Sequence, residues 1–173
     1  MAAKQITVFF PLSVDKDRII ANLVKNLSLE IDCLPDDFPC EFSAQRGRGP
    51  SYVLIEYQGN DRGEIEELSQ WERPSENYKK LLLQCKSKIL LHYRDANQAR
   101  KFFLALATTL ETVSSRCIVE NGFGCLLLLS EIVTSLEHNK AWTWERDVFP
   151  DLPDVAVSEW TDDLDDCNPK YSS

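Results

Sequence analysis

The chain has 173 residues, 43% of them hydrophobic and 27% charged, which fits one globular domain that is too apolar to stay disordered. The apolar run Cys125 to Leu129, like every other in the sequence, is far below the roughly 18 residues that a membrane-spanning helix needs. A formal net charge of −9 opposes nucleic-acid binding, because that affinity comes largely from neutralising phosphates.

Met1-Ala2-Ala3-Lys4-Gln5 leads straight into a β-like run, without the apolar stretch of a signal peptide, so a cytoplasmic location is expected. Residues 5–10 are β-branched and aromatic with alternate residues large and apolar, which predicts a strand ended by Pro11. Ser13 can cap a helix over 14–29, with Asp15 and Asp17 in its first turn and Ile19, Ile20, Leu23, Val24 and Leu27 on one face. Two prolines make 34–39 a loop. Residues 41–45 and 51–58 then read as strands joined by Arg46-Gly47-Arg48-Gly49-Pro50, a hairpin whose glycines permit a tight reversal. Past a turn at Gly59-Asn60, Ile65, Leu68 and Trp71 suggest a short helix that ends before Pro74. A second helix begins near Ser75, with Tyr78, Leu81, Leu82 and Cys85 as its buried stripe.

Residues 88–93 contain three consecutive aliphatics, as expected for a central strand covered on both faces. Asp95 followed by Gln98 resembles a capping box, and Phe103, Leu106, Ala107, Leu110 and Val113 form the stripe of the helix behind it. A short strand over 116–120, a turn at Asn121-Gly122-Phe123-Gly124 and a last helix with Leu129, Ile132, Val133 and Leu136 on its face complete the series. Within 116–136 strand and helix compete, because four consecutive leucines hide the period. The expected fold is a single α+β domain over residues 1–146: an antiparallel or mixed sheet of about four or five strands, covered by amphipathic helices and ferredoxin-like or related.

The remainder, 147–173, has eight acids against one base, a net of −7, which leaves only −2 on residues 1–146. With Pro150, Pro153, Pro169 and Trp160 it reads as an acidic arm packed on or extending from the core. Six cysteines, at 33, 40, 85, 117, 125 and 167, are expected to be reduced and mostly buried in a chain that needs no stapling.

Catalytic, cofactor and metal residues are all expected to be absent. There are two histidines, His92 on a strand and His138 at a helix end, and neither falls in a local signature of nucleophilic enzymes. Cysteine spacings are wider than zinc-ligand pairs, and Gly122-Phe123-Gly124 lacks the third glycine and the lysine of phosphate-binding loops. Arg46-Gly47-Arg48-Gly49 beside Tyr52 could contact phosphate and stack a base, but the chain's charge opposes it. An unrecognised enzyme site would centre on Cys117, Glu120, His92 and the glycine turn. What remains is negative charge beside aromatics. The candidate partner-binding residues are Trp142, Trp144, Asp151, Asp154, Glu159, Trp160, Asp162, Asp163, Asp165 and Asp166, with Phe149 nearby. The plainer alternative is that Trp142 and Trp144 pin the arm to its own domain.

A small acidic α+β chain with the segment Arg116-Cys-Ile-Val-Glu-Asn-Gly-Phe-Gly124, and with Trp142-Thr-Trp144 leading into acidic residues, resembles the bacterial immunity proteins of polymorphic or contact-dependent toxin systems. The resemblance is one of style and carries over no individual binding residue. It implies a non-enzymatic inhibitor that occludes a cognate, often basic, toxin protein, with no nucleic acid or membrane as partner. The alternatives are the small enzyme just outlined and a structural subunit of a larger assembly.

Overall fold

The computed structural model describes residues 2–10, 15–31, 40–47, 49–59, 62–70, 76–110 and 116–146. Strand β1 (Lys4–Phe10) alternates as its sequence suggests, sending Ile6, Val8 and Phe10 to one face and Phe9 to the other. Helix α1 (Lys16–Leu27) starts at Asp15, whose carboxylate accepts the Arg18 N–H at 3.1 Å. Ser13, the expected cap, lies outside the described residues. The helix ends at Ser28, which adopts a left-handed φ of 53° while its own N–H and that of Leu29 return to the carbonyls of Lys25 and Val24.

A two-residue strand, β2 (Glu30–Ile31), precedes the expected hairpin of β3 (Cys40–Arg46) and β4 (Val53–Gly59). Gly47 and Gly49 both turn with φ of 68°, and residues Gly49–Ser51 form a single 3-10 turn. Helices α2 (Arg62–Ser69) and α3 (Glu76–Gln84) separate β4 from β5 (Ser87–Tyr93). Trp71 lies outside the described residues.

Helix α4 (Ala96–Thr109) is capped by Asp95, whose side chain accepts the Asn97 N–H at 3.0 Å. The reciprocal half of the expected capping box is absent. The Gln98 N–H bonds the Asp95 backbone carbonyl, and the Gln98 side-chain oxygen is buried with no hydrogen-bond partner among the described residues. Of the expected stripe of α4, Phe103, Leu106 and Leu110 are buried and Ala107 is half-buried, while Val113 lies outside the described residues; Ala99, Phe102 and Ala105 widen the buried face. The leucine run divides between two elements. After β6 (Ile118–Glu120) and the glycine turn, Leu126–Leu128 form β7, and α5 (Leu129–His138) begins at the next residue.

All described strands join one antiparallel sheet in the order β2-β3-β4-β5-β1-β6-β7. The sheet therefore has seven strands rather than four or five, because the pairs at its edges, β2 and β7, are too short to show a period. The order also departs from a ferredoxin-like sheet, since β5 stands between β4 and β1. As expected, β5 is central.

One face of the sheet, called the closed face below, carries Ile6, Val8, Ile55, Ile89, Leu91, Tyr93 and Val119. Helices α1, α4 and α5 pack on it through Leu23, Phe102, Phe103, Leu106 and Ile132. Asn22 of α1 donates to the Ala105 carbonyl of α4 at 2.8 Å and fixes that helix pair. Among the described residues, the opposite, open face is covered over one end only. There Phe9, Ile118, Leu126 and Leu128 meet Ile65 and Leu68 of α2 and Tyr78, Leu81 and Leu82 of α3.

Candidate functional site

The two stretches singled out in the sequence, 116–124 and 142–146, meet in space. Their junction is Asn121, which is fully buried. Its amide nitrogen donates to the backbone carbonyls of Trp144 at 2.7 Å and Arg146 at 2.8 Å. Its oxygen accepts the N–H groups of Phe123 at 2.9 Å and Cys125 at 3.1 Å. Both donors and both lone pairs of the amide are thus used, as a buried amide requires. Sequence reading took Asn121 for a turn residue only, and nothing in the spacing shows that its side chain reaches a segment more than twenty positions further on.

Gly122 follows with φ +79°, at the place where the β1–β6 register brings it opposite Gln5. A Cβ there would run into the Gln5 carbonyl oxygen. Only glycine fits. Its N–H donates to Glu120 Oε1 at 2.8 Å, so the turn is held from both sides.

Trp144 is 0% exposed. Its indole N–H donates to the Tyr93 hydroxyl at 2.9 Å, and its ring packs edge-to-face on Phe103, with centroids 5.2 Å apart, and on Tyr93 at 6.3 Å. The Tyr93 hydroxyl donates in turn to Glu145 Oε1 at 2.9 Å, and the same carboxylate receives Lys4 Nζ at 2.8 and 2.9 Å. Burial and the neighbouring Glu145 carboxylate hold the Tyr93 phenol well above its ordinary pKa, against the opposing donation from Trp144. Arg100 donates to the carbonyls of Lys140 at 3.0 Å and Trp142 at 3.2 Å, and lies 5.9 Å over the Trp144 ring. Residues 140–146 are therefore seated on the end of the sheet by four side chains from separate parts of the chain: Lys4, Tyr93, Arg100 and Asn121.

This seat corrects one expectation. Trp144 offers no ring surface to a partner, since aromatic packing and its one hydrogen bond consume it within the core. Trp142 is half-buried against the same core and keeps part of its ring exposed. Asp151, Asp154, Glu159, Trp160, Asp162, Asp163, Asp165 and Asp166, and Phe149 with them, lie outside the described residues.

The groups of the alternative enzyme site separate. Cys117 belongs to the closed face, fully buried, with its thiol pushed up to about 12 by burial. A thiol so placed is inert as a nucleophile. Cys85 and Cys125 are likewise buried thiols. Glu120 and His92 stand on the open face with β1 between them, two strand spacings across and two residues apart along β1. His92 Nε2 lies 3.2 Å from Glu56 Oε2. Lys88, buried beneath α2, is neutralised by an ion pair with Glu64. Burial raises the Glu120 pKa, the Gly122 N–H opposes that rise and the Glu64 carboxylate adds to it. Among the described residues no three His, Cys, Asp or Glu side chains are grouped to hold a metal ion.

The basic hairpin end is also engaged. Arg46 donates to the Leu27 carbonyl at 3.4 Å. Arg94 donates to the Gly49 carbonyl at 3.2 Å and covers the Tyr52 ring, whose centroid is 5.2 Å away. Tyr52 therefore lends that face to an arginine of its own chain rather than to a base. His138, at the end of α5, points its Nδ1 at the Thr134 carbonyl, 2.8 Å away.

No protein-family model matches the chain, and neither the curated proteins nor the solved structures include one significantly similar to it.

Proposed function

We propose that the protein is a non-enzymatic, cytoplasmic protein-binding module of the immunity type, one that captures and neutralises a basic protein, a cognate toxin. One observation carries the reading. The backbone is held up to Arg146 by Asn121, and from the next residue onward the sequence has eight acids against one base. The −7 of residues 147–173 thus begins at a fixed point on a domain that is itself nearly neutral. Concentrated negative charge of that kind speeds encounter with a basic partner by roughly tenfold to a thousandfold at low salt.

The enzymatic alternative is weakened by the placement of its own residues, because Cys117 lies across the sheet from Glu120 and His92. The test is a quadruple variant, Asp162→Asn, Asp163→Asn, Asp165→Asn and Asp166→Asn. Association with the partner is expected to slow at least tenfold in low salt and to lose most of its salt dependence, with the thermal midpoint unchanged. An association rate equal to that of the parent chain would remove the acidic residues from the mechanism.

A further inference from the structure

Asn121-Gly122 is the only asparagine in the chain that is followed by glycine, and such a pair has a chemistry of its own. Glycine carries no side chain to hinder its nitrogen, so the Gly122 nitrogen can attack the Asn121 side-chain carbon Cγ. The rate of such an intramolecular reaction is set by whether the two atoms can meet in the right geometry. The N–Cγ bond forms, the Cγ–Nδ2 bond breaks, and the Gly122 proton leaves with Nδ2 as ammonia. Water then opens the imide ring at either carbonyl. The product is aspartate, or its isomer in which the backbone runs through Cγ and is one carbon longer.

The folded chain opposes each step. The attacking nitrogen must give up its proton, yet that N–H donates to Glu120 Oε1 at 2.8 Å, and a carboxylate so close disfavours negative charge developing on the nitrogen. Cγ must become tetrahedral, yet four hydrogen bonds hold the amide planar: Nδ2 donates to the Trp144 and Arg146 carbonyls, and Oδ1 accepts from the N–H groups of Phe123 and Cys125. Nδ2 must leave as ammonia and water must open the ring, yet Asn121 is 0% exposed. Gly122 itself is fixed, with φ +79° and its α-carbon pressed against the Gln5 carbonyl. Both acceptors of Nδ2 belong to residues 140–146, the segment that Lys4, Tyr93 and Arg100 also hold. The bonds that seat this segment are therefore the bonds that keep the leaving nitrogen in place and dry.

We propose that Asn121-Gly122 is a latent modification site, shut while residues 140–146 are seated and open when they lift away, and that its reaction releases this segment permanently. Neither product has a side-chain N–H for the Trp144 and Arg146 carbonyls, and each sets a carboxylate oxygen against them. The isomer's extra carbon falls where Gly122 is already pressed on Gln5. A chain that has opened for long enough to react does not close again, so the opening is recorded in covalent form.

The test uses the full chain at mildly alkaline pH, with conversion of Asn121 followed by mass spectrometry of the tryptic peptide after Arg116 and by isoaspartate detection. Native protein is expected to convert at least about tenfold more slowly than the same chain in concentrated urea, the ratio reporting how rarely the segment opens. Equal rates would show that the fold does not shut the site. Arg100→Ala and Lys4→Ala, each of which loosens residues 140–146, should convert several-fold faster than the parent under native conditions. Ile31→Ala, at the opposite edge of the sheet, should convert at the parent rate. Parent-rate conversion in both loosened variants, or equal acceleration by Ile31→Ala, overturns the link between seat and site. Arg100→Ala converted under native conditions should then exchange amide hydrogens over residues 140–146 faster than its unconverted form, with β4 and β5 unchanged. Unaltered exchange over that segment overturns the release.

Discussion

The two faces of the sheet solve different problems. On the closed face the strand residues are apolar apart from Lys4, Arg46 and Ser87 at its margins, and three helices cover it, so Cys117 and Trp144 become packing. On the open face the cover provided by the described residues reaches one end only, and the same strands present Glu56, His92, Glu120 and, beneath α2, Lys88. Residue chemistry on this scaffold is therefore decided by parity along a strand. Cys117 and Glu120 are three positions apart and belong to different environments, because an odd step changes face.

The comparison is broken most severely by emptying the closed face. Trp144→Ala should cost about 3–5 kcal/mol, the range for deleting a large buried aromatic ring, and Trp142→Ala clearly less, since that ring is only half-buried. Urea unfolding of the two variants measures the gap. A Trp144 variant as stable as the parent chain would show that residues 140–146 are not seated as described.

Gly122→Ala tests the seam between the faces. A left-handed φ and a Cβ aimed at the Gln5 carbonyl predict a loss of about 1–3 kcal/mol. Gly124→Ala has the same backbone cost without the collision and should lose less. Equal midpoints for the two would mean that β1 does not press on the turn.

The smallest effect lies where the two helix layers meet around β7. Glu131 of α5 accepts the Tyr78 hydroxyl of α3 and the Leu128 N–H, both at 2.8 Å. Its other oxygen is buried with no hydrogen-bond partner among the described residues. Burial raises its pKa above the ordinary 4.5, the two donors opposing that rise. The folded chain therefore keeps this proton to higher pH than the unfolded chain does. Its contribution is fully present below about pH 4.5 and is lost as pH rises through the raised folded value. Glu131→Gln cannot titrate, so its stability relative to the parent should improve from pH 4 to pH 8. Parallel denaturation midpoints across that range would place the carboxylate in water instead.

Much of this architecture was legible from residue order alone. Alternation gave β1, a run of consecutive aliphatics gave β5, period and capping gave α1 and α4, and the glycine-bearing connection gave the β3–β4 hairpin, because each signal is local to one element. Strands of two or three residues carry no period, so β2 and β7 escaped, and the leucine run concealed a boundary at Leu128. The candidate site was half legible. Trp142-Thr143-Trp144 and the glycine turn stood out one by one, yet nothing marked them as partners.

By itself the sequence determined the α+β class, the central strand and the gathering of acidic residues after Arg146, since composition and periodicity are properties of the chain before it folds. Tertiary structure alone decided that Trp144 is core, that Cys117 and Glu120 point apart, and that Asn121 binds both the turn and the carbonyls of Trp144 and Arg146. The physical reason is common to all three. Burial and hydrogen-bond satisfaction depend on which distant segments arrive, and a single chain written in order does not record who its neighbours will be.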